Sequence, residues 1–184
     1  MYNPNMIVHS LRSTPSERGV VTPVPGAEDY LLIGDLFSAG DESQLRRRRV
    51  GVIINLSNHT EDDEYIEFPG IEYHHIRVED RSSVPMGMHF RNTHSVIASA
   101  KNRGVTTLVH CREGVSRSVS VVLSHLIQSG QTLHDAYLAL RAARWPQQYC
   151  APNHGFWKQL MELEQSVFGT NESTMTYAEY RRLG

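Results

Sequence analysis

The sequence predicts an α/β fold, and three observations carry that prediction. β-prone runs alternate along the chain with stretches of helical period, the pattern of a sheet with helices packed on it. Val50-Gly51-Val52-Ile53-Ile54-Asn55-Leu56 is apolar almost without interruption, as in a strand covered on both faces. A β-prone run, Val105 to Val109, passes through a glycine-bearing loop into the apolar run Val119 to Ile127. The chain has 184 residues, 40% hydrophobic and 21% charged, enough for one globular domain with a core.

Charge and cysteine usage exclude several classes. A net charge of −2 argues against nucleic acid or a membrane recognised by bulk charge. Two cysteines, Cys111 and Cys150, do not make a disulfide framework and fit a reducing compartment. The N-terminus lacks an apolar signal core and no run is long enough to span a bilayer, so cytosol or nucleus is the expected location.

Residues 1–23 are polar, carry Pro4, Pro15 and Pro23, and read as a flexible arm. Asp29-Tyr30-Leu31-Leu32-Ile33-Gly34 reads as the first strand, turning at Gly34-Asp35. Asp41 to Arg49 reads as a short helix with Asp41 as N-cap. Its Arg46-Arg47-Arg48-Arg49 run could suit nucleic acid, but a solvated helix face with cations at its C-terminus is the favoured reading. Ser57 to Gly70 reads as a loop whose Glu61, Asp62, Asp63, Glu64 and Glu67 face solvent.

Ile71 to Val78 reads as the next strand. Its neighbours His74 and His75 point to opposite faces, so no metal site is expected there. His89 to Asn102 reads as an amphipathic helix with Val96, Ile97 and Ala100 inward and Gly104 near its end. The run from Val119 to Ile127 is apolar nearly all round, hence a central buried helix, closed by Gly130. Thr132 caps a further helix with Asp135 at N3, running to about Arg144. A last helix runs to about Phe168. Residues 169–184 form a polar tail with Tyr177 and Tyr180, either a short docked helix or disordered.

The chemistry concentrates in Val109-His110-Cys111-Arg112-Glu113-Gly114-Val115-Ser116-Arg117-Ser118. A strand ending in a tight loop that opens a helix aims several backbone N–H groups, from Arg112 through Glu113, Gly114, Val115 and Ser116 to Arg117, at one anion such as phosphate. Gly114 lets the backbone curl. Arg117, six residues after Cys111, can hold two phosphate oxygens with its planar fork. The same positive field favours Cys111 as a thiolate, a nucleophile placed below the bound phosphorus. Ser118 can donate its hydroxyl to the sulfur.

Cys-(x)5-Arg within His110-Cys111-x-x-Gly114-x-Ser116-Arg117-Ser118 resembles the signature loop of the cysteine-based protein tyrosine phosphatases. The Ser-Arg-Ser ending is similar to the dual-specificity branch, and His110-Cys111-Arg112-Glu113-Gly114 to its small atypical members. Asp135-Ala136-Tyr137 and Pro152-Asn153-x-Gly155-Phe156 resemble further segments of that family.

The resemblance implies a protein tyrosine phosphatase-like α/β fold of the dual-specificity type. In it a central, mostly parallel sheet is flanked by helices, with the site at the strands' C-terminal ends. It implies a catalytic domain over residues 24–168. It places a proton donor about thirty residues before the cysteine; Asp80, 31 residues before Cys111, fits, with Glu79 the adjacent alternative. It makes Asn153 a brace for the phosphate loop, with a plain helix cap as the other reading, and His110 and Ser118 supporting residues. The activity implied is hydrolysis of phosphotyrosine and phosphoserine or phosphothreonine in proteins through a phosphocysteine, without metal or cofactor. Kinases phosphorylated in the activation loop are candidate substrates.

A phosphoinositide or RNA 5′-phosphate substrate, or a phosphate-binding pseudoenzyme, are the alternatives. The chain departs from the family in a longer Trp145–Ala151 segment, which leaves Arg141 and Arg144 unassigned. Cys150 reads as an ordinary buried cysteine or, less favoured, a redox partner of Cys111.

Overall fold

The computed structural model describes residues 19–58 and 66–183. Most of the polar arm, with the acidic residues Glu61, Asp62, Asp63 and Glu64, lies outside the described residues; Glu67 is exposed. Among the described residues five strands, β1 (Thr22–Pro23), β2 (Leu31–Gly34), β3 (Val50–Asn55), β4 (Glu72–His75) and β5 (Thr106–His110), form one sheet in the order β1-β2-β5-β3-β4. Only β1 runs antiparallel to its neighbour; β2, β5, β3 and β4 are parallel. The sheet is therefore central and mostly parallel. The C-terminal ends of β2, β5 and β3 lie side by side, with β5 in the middle.

Period-two alternation divides the core between the two faces. Leu31, Ile33, Ile54 and Val109 point into the larger cluster, while Leu32, Ile53 and Leu108 point into the smaller one. The larger face is covered by α3 (Gly87–Asn102), α4 (Arg117–Gln128), α5 (Leu133–Arg144) and α6 (His154–Phe168). The short α1 (Leu36–Gly40) and α2 (Glu42–Arg47) cover the other. Residues 117 to 127 of α4 are all buried, as expected of a helix apolar all round.

Local capping chemistry sets the ends of several elements. Asp41 caps α2 by accepting from Gln44 N–H at 2.9 Å, and Thr132 caps α5 by accepting from Asp135 N–H at 3.1 Å. The four arginines from Arg46 to Arg49 are exposed, with Arg46 paired to Glu42 and Arg47 bonded to Ser43 Oγ, as for a solvated helix end. Three elements differ from expectation. Thr22–Pro23, placed by composition in the arm, pair with β2. α1 was not expected: Asp35 and Ser38 close a capping box too short to show a helical period. β4 covers only Glu72–His75 of the expected Ile71–Val78 run, because its partner β3 ends at Asn55.

The tail docks. Buried Glu164 on α6 accepts from Leu133 N–H at 2.6 Å, Thr174 N–H at 2.9 Å and the hydroxyls of Ser173 and Thr174. Beyond it, Tyr180 on α7 (Tyr177–Leu183) stacks on Trp157 with centroids 4.0 Å apart and donates to Pro152 O at 2.9 Å. No helix among the described residues is long and apolar enough to cross a membrane.

A buried histidine makes the fold acid-sensitive. Burial, with lesser contributions from the charges of His94 and Lys101, pushes His125 down to about 4, and its Nε2 lies 3.2 Å from Tyr30 Oη. Below about pH 6.5, the ordinary histidine value, the unfolded chain takes up a proton that the folded chain refuses until about pH 4. Stability is thus full above pH 6.5 and falls by up to about 3 kcal/mol on the way to pH 4. Urea midpoints measured from pH 7 to 4 should show this fall. His125→Gln, which keeps a polar partner for Tyr30 without titrating, should flatten it; an unchanged slope would assign the effect elsewhere.

Candidate active site

The loop after β5 is held open from outside. Arg112 O accepts from Leu36 N–H at 3.2 Å, Val115 O from Ala151 N–H at 2.9 Å, and Ser116 O from Ser120 N–H at 2.9 Å. Gly114 O accepts from Arg144 Nη1 at 2.6 Å. A planar trans peptide sets each N–H opposite its C=O. Turning these four carbonyls outward therefore turns the amides of Glu113, Val115, Ser116 and Arg117 to the other side. That side is a pocket of about 330 Å³ whose walls include Asp80, Cys111, Val115, Arg117, Ala151 and Asn153. Arg112 and Glu113 are exposed at its edge.

Gly114 cannot be replaced without strain. Its φ is +72°, and a Cβ there would stand 2.7 Å from Gly34 O. Gly155 serves another close approach: a Cβ would sit 1.9 Å from Ser82 O, in the loop that follows Asp80. The start of α6 and the Asp80 loop touch backbone to backbone at that point.

Cys111 is buried at the N-terminal end of α4, where the helix dipole and the loop amides make the field positive. Its Sγ lies 3.3 Å from Ser118 Oγ. Arg117 is buried, and its Nη1 donates to Leu56 O at 3.1 Å and Val78 O at 3.0 Å. Those two bonds fix the guanidinium plane from the ends of β3 and the post-β4 segment. Its Nε is buried without a hydrogen bond among the described residues and stands 3.7 Å from Asp80 Oδ2.

Asp80 Oδ1 accepts from Ser116 Oγ and from Asn153 Nδ2, each at 2.8 Å. Oδ2 is left as the oxygen facing Arg117. Asn153 caps α6 as well, its Oδ1 accepting from Phe156 N–H at 3.0 Å. The cap reading of Asn153 therefore describes its Oδ1, while its Nδ2 holds Asp80 and not the phosphate loop, which Asn153 meets through its backbone N–H, 3.3 Å from Ser116 Oγ. Buried His110 ends β5 with Nδ1 3.4 Å from Cys111 O.

All the candidate side chains converge on this one pocket except Ser118, which meets the sulfur, and His110, which meets the Cys111 carbonyl. Among the described residues no group of three or more His, Cys, Asp or Glu is placed to hold a metal ion. His74 and His75 each meet a carboxylate instead, Glu72 at 2.7 Å and Glu67 at 2.9 Å. Burial pushes the Cys150 thiol up, partly opposed by Arg144, whose Nη1 is 3.8 Å from the sulfur.

Sequence reasoning missed Arg144 and Gln148. Arg144 is 1% exposed; besides Gly114 O it holds Tyr149 O at 3.2 Å and Gln148 Oε1. Gln148 Nε2 reaches Asp35 Oδ2 at 3.4 Å. A signal was present: Leu133, Ala136, Tyr137, Leu140 and Arg144 make up the buried stripe of α5, so an arginine occupies an apolar position and must find buried partners. Arg144→Met takes the Arg144 donor away from Gly114 O and from Gln148 Oε1. It should cost about 2–4 kcal/mol, lower the melting temperature by several degrees, and weaken competitive inhibition by inorganic phosphate. Unchanged inhibition by phosphate would mean that Arg144 supports the fold and not the loop.

Comparison with known proteins agrees with this geometry. Residues 34–166 match the family model for the dual specificity phosphatase catalytic domain. Protein phosphatase Slingshot homolog 3 of Mus musculus is 32% identical over 78% of this chain, but the match spans only 21% of that protein's own length. Human dual specificity protein phosphatase 14 is 30% identical over 82% of this chain and 73% of the relative. The crystal structure of human DUSP28 superposes with a TM-score of 0.72 at 27% identity, covering 85% of this chain and 97% of that one.

Proposed function

Because this chain belongs to the dual-specificity phosphatase family and is a cysteine-based phosphatase by that membership, we propose that it hydrolyses phosphotyrosine and phosphoserine or phosphothreonine in proteins. One observation carries the reading. A buried thiol, a buried arginine whose Nε has no hydrogen bond among the described residues and a carboxylate meet at one pocket lined by inward-turned amides. A donor left unpaired in a buried position is costly unless a ligand fills it, and a phosphoryl dianion has the charge and the oxygens to do so.

The reaction takes two steps. The dianion enters the amide nest and draws Arg117 from Asp80, freeing Oδ2. In the reacting form Cys111 is a thiolate and Asp80 carries a proton on Oδ2; the thiolate attacks phosphorus in line, the bond from phosphorus to the ester oxygen breaks, and that proton passes to the departing oxygen. The outcome is a phosphocysteine and a free hydroxyl side chain on the substrate. Water then attacks phosphorus while Asp80, now a carboxylate, takes its proton. Sulfur leaves as a thiolate that Ser118 Oγ stabilises, and phosphate is released. Arg117 and the amides carry the equatorial charge throughout.

Glu113, exposed beside Arg112, reduces the pull of the pocket edge on polyanionic lipids or RNA and supports a protein substrate. The test is phosphate release from phosphotyrosyl and phosphothreonyl peptides in chelator, beside a soluble phosphoinositide and an RNA 5′-phosphate. Faster turnover of either non-protein substrate than of every peptide would overturn the reading.

A further inference from the structure

The geometry points to a substrate subsite outside the phosphate pocket. We propose that Trp145 and Tyr149 bind an aromatic or large apolar side chain adjacent to the phosphorylated residue of a peptide substrate. This rests on the protein-substrate reading above.

The segment between α5 and α6 is fastened at three points, two of them on the phosphate loop. Arg144 at its start holds Gly114 O, Gln148 in its middle is buried against Arg144 and Asp35, and Ala151 at its end bonds Val115 O and lines the pocket. Between the clamps, two large rings turn outward: Trp145 is 52% exposed and Tyr149 62%. They meet edge to face with centroids 5.4 Å apart, and the Arg141 guanidinium lies 5.8 Å from the Trp145 ring centre.

A single exposed aromatic residue needs no explanation. A packed pair on a backbone fastened from beneath is different, because its rings are already ordered and little entropy is lost when a ligand covers them. Trp, Tyr and Arg are also the residue types that dominate binding energy at interfaces.

Continuity with the pocket identifies the occupant. With the phosphoryl group in the nest, the peptide on either side must leave across the rim. Ala151 is part of that rim, and two residues of chain place Tyr149 within about 7 Å of it. An extended peptide covers the same distance in about two residues. The side chain one or two positions from the phosphorylated residue therefore reaches the pair, and an apolar one removes the exposed ring surface from water.

The experiment uses the full chain and pentapeptides with a central phosphotyrosine, all-alanine or with one phenylalanine at each flanking position in turn. Rates are referred to nitrophenyl phosphate, which has no flanking residue to cover the two rings. One phenylalanine peptide should exceed the alanine peptide by about tenfold in kcat/KM, mostly through KM. Trp145→Ala combined with Tyr149→Ala should bring that ratio to within about twofold, and Trp145→Phe should retain most of it. Should the double variant not fold, Tyr149→Ala alone, at the more exposed ring, reads the same ratio. A ratio near one at every position, or one that survives the double variant, overturns the subsite alone. Turnover of nitrophenyl phosphate with none of any peptide overturns the protein-substrate reading instead.

Discussion

Cys111→Ser is expected to lower kcat on nitrophenyl phosphate by about 10⁴-fold or more, a barrier increase of about 5.5 kcal/mol. Serine differs from cysteine here by one atom, so the phosphate nest, Arg117 and Asp80 stay in place. What is lost is a nucleophile that ionises without help. A serine nucleophile needs a base to take its proton. The partner given to Cys111 Sγ is Ser118 Oγ at 3.3 Å, a hydroxyl and not a base. The positive end of α4 stabilises a thiolate once formed, but an alkoxide lies too far uphill for a helix dipole to recover. The variant should still bind phosphate, measured by calorimetry, because the amides and Arg117 are untouched. Hydrolysis should be followed in chelator from about pH 5 to 8. A Cys111→Ser protein with full activity would remove the phosphocysteine from the mechanism.

Asp80→Asn should show the second large effect, and its signature is selectivity. Hydrolysis of esters with poor leaving groups, such as phosphoserine peptides, should slow by about 10²–10⁴-fold. Dinitrophenyl phosphate, whose leaving group needs no proton, should slow by less than about tenfold. Asparagine suits the test because its carbonyl oxygen can still accept from Ser116 Oγ and Asn153 Nδ2, the two donors that position Oδ1. The loop geometry is kept while the transferable proton is lost. Equal losses across the leaving-group series would move the acid elsewhere. Glu79 is the adjacent carboxylate, exposed and paired with Arg81.

The same contacts explain why parts of this site were legible in the sequence. Cys111, Gly114 and Arg117 lie within one turn of loop, and a phosphate nest is a local object. A strand end, a residue with positive φ and a helix start suffice to build it, and each leaves a residue type at a fixed offset. β3 and α4 were legible for a related reason: burial on all sides demands unbroken apolar runs. β1 and α1 span two and five residues, too few for any period to register.

By itself the sequence determined the α/β class, the loop that joins β5 to α4 and the residue types available for chemistry, since these rest on short-range backbone preferences and on which faces must avoid water. Only the tertiary structure decided how distant residues meet. Asp80 is aimed by Ser116 and Asn153, 36 and 73 positions away, and the loop carbonyl of Gly114 is held by Arg144, 30 positions away. Gln148, which lies between Trp145 and Tyr149 in the chain, likewise finds its partner in Asp35, 113 positions away. No local propensity encodes such pairings. They form because buried polar groups must find partners, and the packing of whole helices and strands determines which partners are within reach.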